Sequence, residues 1–484
     1  MPSCDAIIIG AGVNGLACAR RLTAKGRRVL VLEAGPVAGG GAATAEFFPG
    51  FKAQTLAHLT QGLDARLAAS VPVAFHPPLA SVALGWGGPL AAAGAEWDAL
   101  QARLTRHAAA LAPFRLMPPP RLEAGNEWGR LLRPLLGLRG LGRTELRELL
   151  RLILINVHDV GEDELSDDRL RGLLSFDATL GAWLGARSPN SLILYLDRLA
   201  RGPSPLMPVG GMGVLVAALT KGLEVRCDAK VQRILIEADR AVGVLLADGE
   251  ELRAPLVVSA INPRTTFHQL VGARHLDTGF FTRIGHVRMR GGAAKLHLAL
   301  NRLPDFATDP KARIVIAPSS DAVENAFNPV KYGEVPTQPV MEIVLPSAHE
   351  AGFAPVGQHV LSAIAQFAPH APKAGLNAAR AQMLENTLAL LEHHAPGLRA
   401  SILHAELLMP QDIEARFGLI GGNWHHGELA VEQMLFNRPL HGAERYATPL
   451  PGLWLAGAGA HPGGGINGTA GWNAAECILA EGRP

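Results

Sequence analysis

The most constraining feature of the sequence is a glycine-rich stretch between two short apolar runs near its amino terminus. The apolar run at residues 5–9 is followed at once by the glycine-rich residues 10–15, and residues 16–25 have the apolar spacing of a helix. A second apolar run at residues 29–32 leads directly to Glu33. This order predicts a strand, a tight turn, a helix and a second parallel strand, which is the βαβ unit that binds dinucleotides.

Each part of this unit has a predicted role toward the ligand. Gly10 permits the tight turn, Gly12 allows the backbone to approach a pyrophosphate, and Gly15 allows helix and strand to pack closely. The start of the helix offers unpaired N–H groups to the phosphates, and the carboxylate of Glu33 can accept hydrogen bonds from ribose hydroxyls. The residues predicted to contact the dinucleotide here are Gly10, Ala11, Gly12, Val13, Asn14, Gly15, Glu33 and Ala34.

The composition and charge exclude several classes of protein. Hydrophobic residues make up 48% and charged residues 18% of the chain, which is typical of a globular protein and not of a disordered one. A formal net charge of +2 is too small for 484 residues to indicate nucleic-acid binding. The four cysteines form no CxxC pair, so neither a metal site nor a redox dithiol is predicted. The length predicts more than one domain.

A second glycine cluster follows the acidic residue closely, at residues 39–41. Backbone without side chains can lie against the remainder of a long dinucleotide at this point. FAD is long enough to need such a second contact, whereas NAD usually is not. The alternative is a flexible surface loop. The residues predicted to contact the ligand here are Gly40, Gly41, Ala42 and Ala43.

The sequence pattern then alternates along the chain. Residues 52–205 predict mostly helices, apart from a short strand at residues 82–84. Residues 241–254 contain an Asp-Gly turn between two strand-like runs, which is a hairpin signal. Residues 288–400 contain four apolar runs that predict an antiparallel sheet, followed by an amphipathic helix at residues 378–394.

A further glycine-rich loop lies near the carboxyl terminus. A strand at residues 453–457, a loop at 460–468 and a helix at 469–480 repeat the arrangement of the first unit. The N–H groups of such a loop can point at flavin N1 and C2=O, where negative charge builds up on reduction. The residues predicted to contact the cofactor in this loop and in neighbouring strands are Val231, Ala260, Gly457, Ala458, Pro462, Gly463, Gly464, Gly465 and Ile466.

Three histidines in the predicted flavin-side loops are the candidate catalytic residues. They are His461, His425 and His426, and an imidazole that titrates near neutral pH suits proton transfer. The alternative for His461 is a bracing role in the glycine loop. For the adjacent pair, the alternative is that one ring faces solvent.

Together these motifs resemble the phytoene-desaturase-like branch of the flavin oxidoreductases. Within that branch the chain is most similar to the subgroup named pyridine nucleotide-disulphide oxidoreductase domain-containing protein 2. The matching stretches are residues 10–16, 39–46, 49–51, 207–213, 421–423, Gln433, Arg438-Pro439 and 457–471.

The resemblance implies one non-covalently bound FAD and a fold shared with amine oxidases. The expected class is α/β, with a Rossmann-type FAD domain built from discontinuous segments and an inserted α+β substrate domain of antiparallel sheet and helices. Residues 1–75, 206–287 and 406–484 are the expected FAD-binding segments. Residues 76–205 and 288–405 are the expected helical and sheet parts of the substrate domain.

The sequence departs from the pattern of this family in ways that bear on function. The subgroup's name suggests disulphide chemistry, which a chain without a CxxC does not support. Phytoene desaturases usually carry an arginine just after the second glycine cluster, where this chain has Ala42 and Ala43. A charged phosphate contact and a carotenoid substrate are therefore not implied. No second GxGxxG is present, so bound NAD(P)H is not expected.

The sequence thus predicts an FAD-dependent oxidoreductase. It would accept a hydride from a C–H bond of a largely apolar small molecule, or return one, in desaturation, saturation or isomerisation of a polyene or isoprenoid. O₂ or a quinone would accept the electrons. One alternative is an amine oxidase, against which the aromatic content of 5% argues mildly. Another is a flavin-binding interaction protein with little turnover.

Residues 130–156 predict a basic amphipathic helix. Such a helix can lie in an anionic membrane surface, although packing on the protein core with solvated arginines is the commoner arrangement. The apolar amino terminus lacks a basic segment and coincides with the first strand, so a targeting signal is not expected. The expected location is the cytoplasm, with a peripheral membrane contact through residues 130–156 as the open alternative.

Overall fold

Strands and helices alternate along the part of the chain that the computed structural model describes, residues 4–90, 93–119 and 128–481. The strands are β1 (Ala6–Ile9), β2 (Val29–Leu32), β3 (Thr44–Phe48), β4 (Phe51–Gln54), β5 (Ser81–Gly85), β6 (Gly88–Pro89), β7 (Glu224–Arg226), β8 (Val231–Glu237), β9 (Arg240–Leu246), β10 (Glu251–Arg253), β11 (Leu256–Ser259), β12 (Ala293–Leu300), β13 (Arg313–Ile316), β14 (Val340–Val344), β15 (His359–Gln366), β16 (Ile402–Leu408) and β17 (Leu453–Leu455). The α-helices are α1 (Val13–Thr23), α2 (Ala65–Ala68), α3 (Gly94–Leu116), α4 (Trp128–Gly140), α5 (Gly142–Leu154), α6 (Val157–Glu164), α7 (Asp168–Thr179), α8 (Leu192–Leu199), α9 (Met212–Thr220), α10 (Thr278–His286), α11 (Ser320–Phe327), α12 (Pro346–His349), α13 (Leu376–His394), α14 (Pro410–Phe417) and α15 (Thr469–Ala480).

A five-stranded parallel sheet holds the amino-terminal βαβ unit. Its strand order is β17-β11-β1-β2-β7, so strands from the beginning, middle and end of the chain lie side by side. The central strands β1, β2 and β11 are buried along their whole length, as expected of a parallel sheet covered by helices such as α1, which packs on α9 and α15. The predicted α/β class is confirmed.

A three-stranded antiparallel sheet adjoins it, with the order β10-β9-β8. Leu245 lies opposite Glu251 in the hairpin of β9 and β10. The Asp248-Gly249 turn joins these two strands. Gly249 has a positive φ, and a turn of this kind matches the twist of a hairpin. The hairpin predicted in this stretch is confirmed.

A seven-stranded mixed sheet forms the other large layer, with the order β16-β12-β15-β14-β13-β5-β6. The four predicted strands β12 to β15 pair antiparallel where they are neighbours. One pair differs from the prediction, because β5 lies parallel to β13. Parallel neighbours need a long crossover connection, and the helices between β5 and β13 supply it.

Helices cover both faces of this mixed sheet. Ile314 and Ile316 point toward the core that includes Met383 of α13, whereas Val315 between them packs with α7 residues such as Leu173. This alternation follows from the two-residue period of a strand. The strands β12 to β15 are therefore buried on both sides, and polar side chains on them must find partners inside the protein.

The basic segment 130–156 is not the single helix that the sequence predicts. It forms α4 and α5, separated at Leu141, and Gly142 has φ +82°. A left-handed glycine breaks the helical path at this point. The side chains of Arg130 and Arg133 lie outside the described part of the structure.

The boundaries of the five predicted segments stay a prediction. The boundary at residues 405 and 406 falls within β16, a strand of the mixed sheet.

Within the described ranges, none of the helices is both long enough and apolar enough to cross a membrane.

Candidate cofactor and active site

The glycines of the amino-terminal turn differ in what surrounds them. Gly10 has φ +99°, and a Cβ on Gly15 would overlap the carbonyl oxygen of Gly10, so both positions require glycine for the turn and the packing of α1. A Cβ on Gly12 would meet no protein atom within 4 Å. The open space beside Gly12 therefore fits a ligand that approaches the start of α1.

Glu33 lies at the carboxyl end of β2, as predicted. Its carboxylate oxygens accept hydrogen bonds from the backbone N–H groups of Ala11, at 2.8 Å, and Gly35, at 2.9 Å. The acid thus fixes the turn that leads into α1. Its contact with a ribose stays a prediction.

The second glycine cluster packs directly against the first. The N–H of Gly39 donates to the carbonyl of Ala11 at 2.9 Å, and Gly39 forms a parallel bridge with Gly12. Thr55 Oγ1 donates to the carbonyl of Gly40 at 3.0 Å. The two clusters therefore form one continuous backbone surface.

A buried arginine holds the carboxyl-terminal loop beside this surface. Arg438 is only 1% exposed, and its guanidinium donates to backbone carbonyls rather than to carboxylates. These acceptors are the carbonyls of His425, Gly427, Glu428, Gln433 and Ala458. Arg438 therefore fixes several loops that converge on Ala458.

One cavity, which we call the central cavity, connects these loops with the mixed sheet. Its empty volume is about 1420 Å³, which includes open solvent. It is lined by Gly12, Val13, Asn14, Gly15, Gly39, Gly41, Leu56, Ala57, His58, Leu59, Thr60, Gln61, Gly62, Asp177, Ala178, Leu180, Leu194, Arg198, Arg201, Ala260, Glu342, Ile364, Leu419, Trp424, His425, His426, Leu429, Ala458, Gly465, Ile466 and Asn467.

The predicted site residues divide into two groups by their position. Those that line the central cavity are Gly12, Val13, Asn14, Gly15, Gly41, Ala260, His425, His426, Ala458, Gly465 and Ile466. Those outside its lining are Gly10, Ala11, Glu33, Ala34, Gly40, Ala42, Ala43, Val231, Gly457, His461, Pro462, Gly463 and Gly464. Contact of any of them with a cofactor stays a prediction.

Several buried polar atoms on the cavity wall have no partner within the protein. They are Asn14 Oδ1, Arg201 Nε, Asn467 Nδ2, His425 Nδ1 and His426 Nδ1. Buried polar groups are nearly always hydrogen-bonded, so these atoms indicate a polar ligand along the cavity. A long dinucleotide carries such groups over its whole length. The residues present therefore fit FAD.

The three candidate histidines have low pKa values. Burial, followed by the charges of Arg201 and Arg438, holds the pKa of His425 well below its usual range, and burial lowers the pKa of His426 to about 4. Burial likewise lowers the pKa of His461 to about 3. All three rings are neutral at pH 7 and are weak bases.

His461 makes a contact that suits a brace. Its Nε2 lies 2.9 Å from the carbonyl of Phe114 at the end of α3, and the ring is 1% exposed. Tyr446 Oη also donates to the carbonyl of His461 at 2.9 Å. Proton transfer by His461 stays a prediction, and its position outside the cavity lining favours the bracing alternative.

A buried cluster of charged residues forms another part of the cavity wall, and the sequence analysis did not identify it. His58 lies 2.9 Å from Glu342 Oε1 through Nε2 and 2.9 Å from Lys295 Nζ through Nδ1. Arg313 donates to Glu342 at 2.6 Å and to Asp177 at 2.5 Å. We call these residues the His58 cluster. His58, Glu342 and Asp177 line the cavity.

The pKa values within the His58 cluster reflect burial and mutual charge. Burial lowers the pKa of Lys295 to about 7, against the opposing attraction of Glu342. Burial and the Lys295 charge lower the pKa of His58 to about 4. Burial alone would raise the pKa of Glu342, but Arg313 and His58 hold it well below its usual range. Lys295 is therefore the member of the cluster that titrates near neutral pH.

The comparison with known proteins identifies the family. The sequence pattern of the family described as "Flavin containing amine oxidoreductase" matches residues 14–312, which is more than half of the chain. The chain belongs to this family. The protein is thus an FAD-dependent oxidoreductase, as the sequence predicts.

Relatives of the chain agree with this assignment. It is 29% identical to pyridine nucleotide-disulfide oxidoreductase domain-containing protein 2 of Mus musculus, over 99% of this chain and 94% of that protein. It is 27% identical to the phytoene desaturase (neurosporene-forming) of Cereibacter sphaeroides, over 96% of this chain and 92% of that protein. The predicted resemblance is confirmed.

A solved structure confirms the fold. An oxidoreductase from Methanosarcina mazei superimposes with a TM-score of 0.63 at 16% identity, covering 98% of this chain and 100% of that chain. In members of the family, FAD supplies an electrophilic ring that accepts two electrons from the substrate. The protein must position the substrate, exclude water and take up protons.

Replacing Lys295 by Met is expected to change stability in a pH-dependent way. Because the pKa falls from 10.5 in the unfolded chain to about 7 in the folded protein, the unfolded chain binds the proton more tightly between these values. Burying the charged lysine thus opposes folding fully below pH 7, and this effect disappears as the pH rises toward 10.5. The free energy of unfolding of Lys295→Met, relative to that of the original protein, should therefore rise as the pH is lowered from 10.5 to about 7. Thermal unfolding of both proteins measures the difference, and a pH-independent difference would contradict the assignment.

Proposed function

We propose that the protein removes a hydride from a C–H bond of a largely apolar small molecule, or returns one, and passes electrons to O₂ or a quinone. The supporting observation is the wall of the central cavity beyond the glycine loops. Most of the nonpolar side chains there are aliphatic, and they are Leu56, Leu59, Leu180, Leu194, Ile364, Leu419 and Leu429. Such a wall favours a hydrocarbon substrate, such as a polyene or isoprenoid, through burial of apolar surface.

Amine oxidation is less well supported by the same cavity. A cationic amine needs an available carboxylate or an aromatic cage. The lining carboxylates Asp177 and Glu342 already bind Arg313, and Trp424 is the one Phe, Tyr or Trp side chain among the lining residues. Both features favour a neutral substrate.

Desaturation also requires a proton acceptor, because one C–H bond loses a hydride and its neighbour loses a proton. A base is most effective when its pKa lies near the working pH. The pKa of Lys295 near 7 suits this task better than the pKa of His426 near 4. We assign Lys295 as the acceptor, reached from the cavity through Glu342, which contacts His58 Nε2, and then through His58 Nδ1, which contacts Lys295. Substrate-driven reduction should be slower in Lys295→Met and should lose its pH dependence near 7.

Anaerobic mixing with candidate substrates tests this function. The absorbance of the oxidised flavin should bleach with a polyene or a cyclic monoterpene, and the product should contain one more C=C bond. Primary amines of matched size are the control and should leave the spectrum unchanged. Bleaching by the amines and not by the hydrocarbons would reject the proposed function in favour of amine oxidation.

We also propose a peripheral contact of α4 and α5 with an anionic membrane surface. Large apolar side chains are exposed on both helices, and they are Leu132, Leu135, Leu136, Leu150 and Leu154. Exposed arginines accompany them, and they are Arg139, Arg143 and Arg147. Exposed leucines beside arginines are typical of helices that lie in the lipid interface. An apolar substrate dissolved in the bilayer would be within reach of a protein held there.

Charge removal on α5 tests this contact. Arg143→Gln combined with Arg147→Gln should weaken binding to phosphatidylserine vesicles by about 30-fold, at about 1 kcal/mol per arginine. The control is Arg226→Gln combined with Arg253→Gln. Both arginines are about half exposed, and they lie on β7 of the parallel sheet and on β10 of the three-stranded sheet. Equal binding by both double variants in a sedimentation assay would reject α5 as the contact.

A further inference from the structure

Three buried hydrogen-bond donors converge on the backbone of the carboxyl-terminal glycine loop. The guanidinium of Arg201 occupies the position of a Cβ on Gly465, and Asn467 Nδ2 lies 3.1 Å from that same position. The ring of His425 occupies the position of a Cβ on Gly464. Glycine is required at both loop positions because these side chains pack directly against the backbone.

Each of the three groups carries a hydrogen atom that has no acceptor in the protein. Arg201 Nε, Asn467 Nδ2 and His425 Nδ1 are buried without a partner. Asn467 Oδ1 accepts from the N–H of Thr469 at 2.9 Å, which fixes the amide orientation. His425 Nε2 accepts from the indole N–H of Trp424 at 2.9 Å, so the proton of the neutral ring is on Nδ1.

The charge around these donors is positive. Among the described residues, Asp197 is the carboxylate in ion-pair contact with Arg201, and it also pairs with Arg115. Burial lowers the pKa of Arg201 to about 10, which leaves it charged at neutral pH. One carboxylate shared by two buried guanidinium groups leaves excess positive charge, and its attraction for an electron-rich ligand is strong away from water.

We propose that Arg201 and Asn467 bind the pyrimidine edge of FAD and raise its midpoint potential, while the Nδ1–H of His425 faces Gly464. The Arg201 guanidinium and the Asn467 amide nitrogen are donors, and this edge of the flavin carries only acceptors and one N–H. Donors and positive charge at this edge stabilise the negative charge that reduction adds. The inference rests on the placement of the flavin at this loop, on which the proposed function also depends. In this proposal Arg201 supplies a full positive charge, which the N–H groups of the loop do not.

Potentiometric titration of the FAD-loaded protein tests this role. Arg201→Met removes the charge and the donor while keeping an unbranched side chain, and Asp197 retains Arg115 as its partner. We expect the variant to bind oxidised FAD but to prefer reduced FAD about tenfold less strongly, a fall of about 30 mV for a two-electron couple. Arg201→Lys should retain most of the original potential. Arg187→Met, at an arginine that is 55% exposed and pairs with Asp321, is the matched control and should leave the potential unchanged.

A second variant decides the outcome if Arg201→Met does not fold. Asn467→Asp keeps the oxygen that caps Thr469 but replaces the unpartnered donor by a carboxylate, so it should also lower the potential. An unchanged potential in these variants with FAD bound would overturn the proposal. So would an equal loss of affinity for oxidised and reduced FAD, which leaves the potential where it was. The variants could lower the midpoint potential as expected while no hydrocarbon reduces the flavin of the original protein. That result would reject the proposed function and retain the role of Arg201.

Discussion

Gly12→Val is expected to produce a folded protein that binds no FAD. A Cβ at this position meets no protein atom within 4 Å, and the backbone φ of −69° suits any residue. The isopropyl group would instead project into the central cavity at the start of α1, where the pyrophosphate is predicted to lie. The loss should therefore appear in cofactor content and not in folding.

Gly87→Val is the matched control for this substitution. Gly87 is exposed in the turn between β5 and β6, and a Cβ there also meets no protein atom within 4 Å. The two variants thus differ in whether the added side chain enters the cavity. Flavin absorbance per protein should be lost in Gly12→Val and normal in Gly87→Val. Normal flavin content in both would mean that the cofactor does not approach Gly12.

Arg313→Met is expected to destabilise the protein by about 3–5 kcal/mol, the usual result of removing one partner from a buried ion pair. Arg313 is fully buried on β13, and it binds the carboxylates of Glu342 and Asp177. Methionine fills much of the volume of the arginine side chain. The carboxylates of Glu342 and Asp177 nevertheless lose the positive charge of Arg313. The destabilisation should be largest at neutral pH, because the pKa of Glu342 lies well below its usual range and its carboxylate is charged there.

An exposed ion pair provides the comparison. Arg253 pairs with Glu237 on the small antiparallel sheet, where the two side chains are 49% and 58% exposed. Arg253→Met should therefore cost only about 0–1 kcal/mol. Urea unfolding of both variants measures the difference. Equal destabilisation would mean that Arg313 does not hold the His58 cluster together.

The local parts of the fold could be predicted from the sequence because their signals are contiguous. The strand, turn, helix and strand of the first unit, the Asp248-Gly249 hairpin and the helix after the carboxyl-terminal loop each occupy one short stretch with its own period and turn residues. The break at Gly142 was missed, because a glycine inside a basic apolar pattern is compatible with a continuous helix.

The His58 cluster could not be predicted in the same way, because its members meet only in the folded sheet. His58 is 237 residues from Lys295 and 284 residues from Glu342 along the chain. A usable signal was present in each strand, since Lys295 and Glu342 are charged residues within otherwise apolar runs. Such residues must be paired when the strand is buried, although the sequence does not show with which partner.

The side chains that pack against the carboxyl-terminal loop could not be predicted, for a related reason. The glycines of the carboxyl-terminal loop were identified by composition, but the side chains that require them were not. Arg201 lies in the turn after α8, far from Gly465 in sequence, and only tertiary packing brings the two together.

The amount and identity of the released flavin test the central claim most directly. The purified protein should be yellow, and denaturation should release one flavin per chain into the supernatant. Phosphodiesterase treatment should increase the fluorescence of that flavin, as it does for FAD and not for FMN. A colourless protein, released FMN, or flavin that remains attached to the denatured chain would contradict one non-covalent FAD in the central cavity.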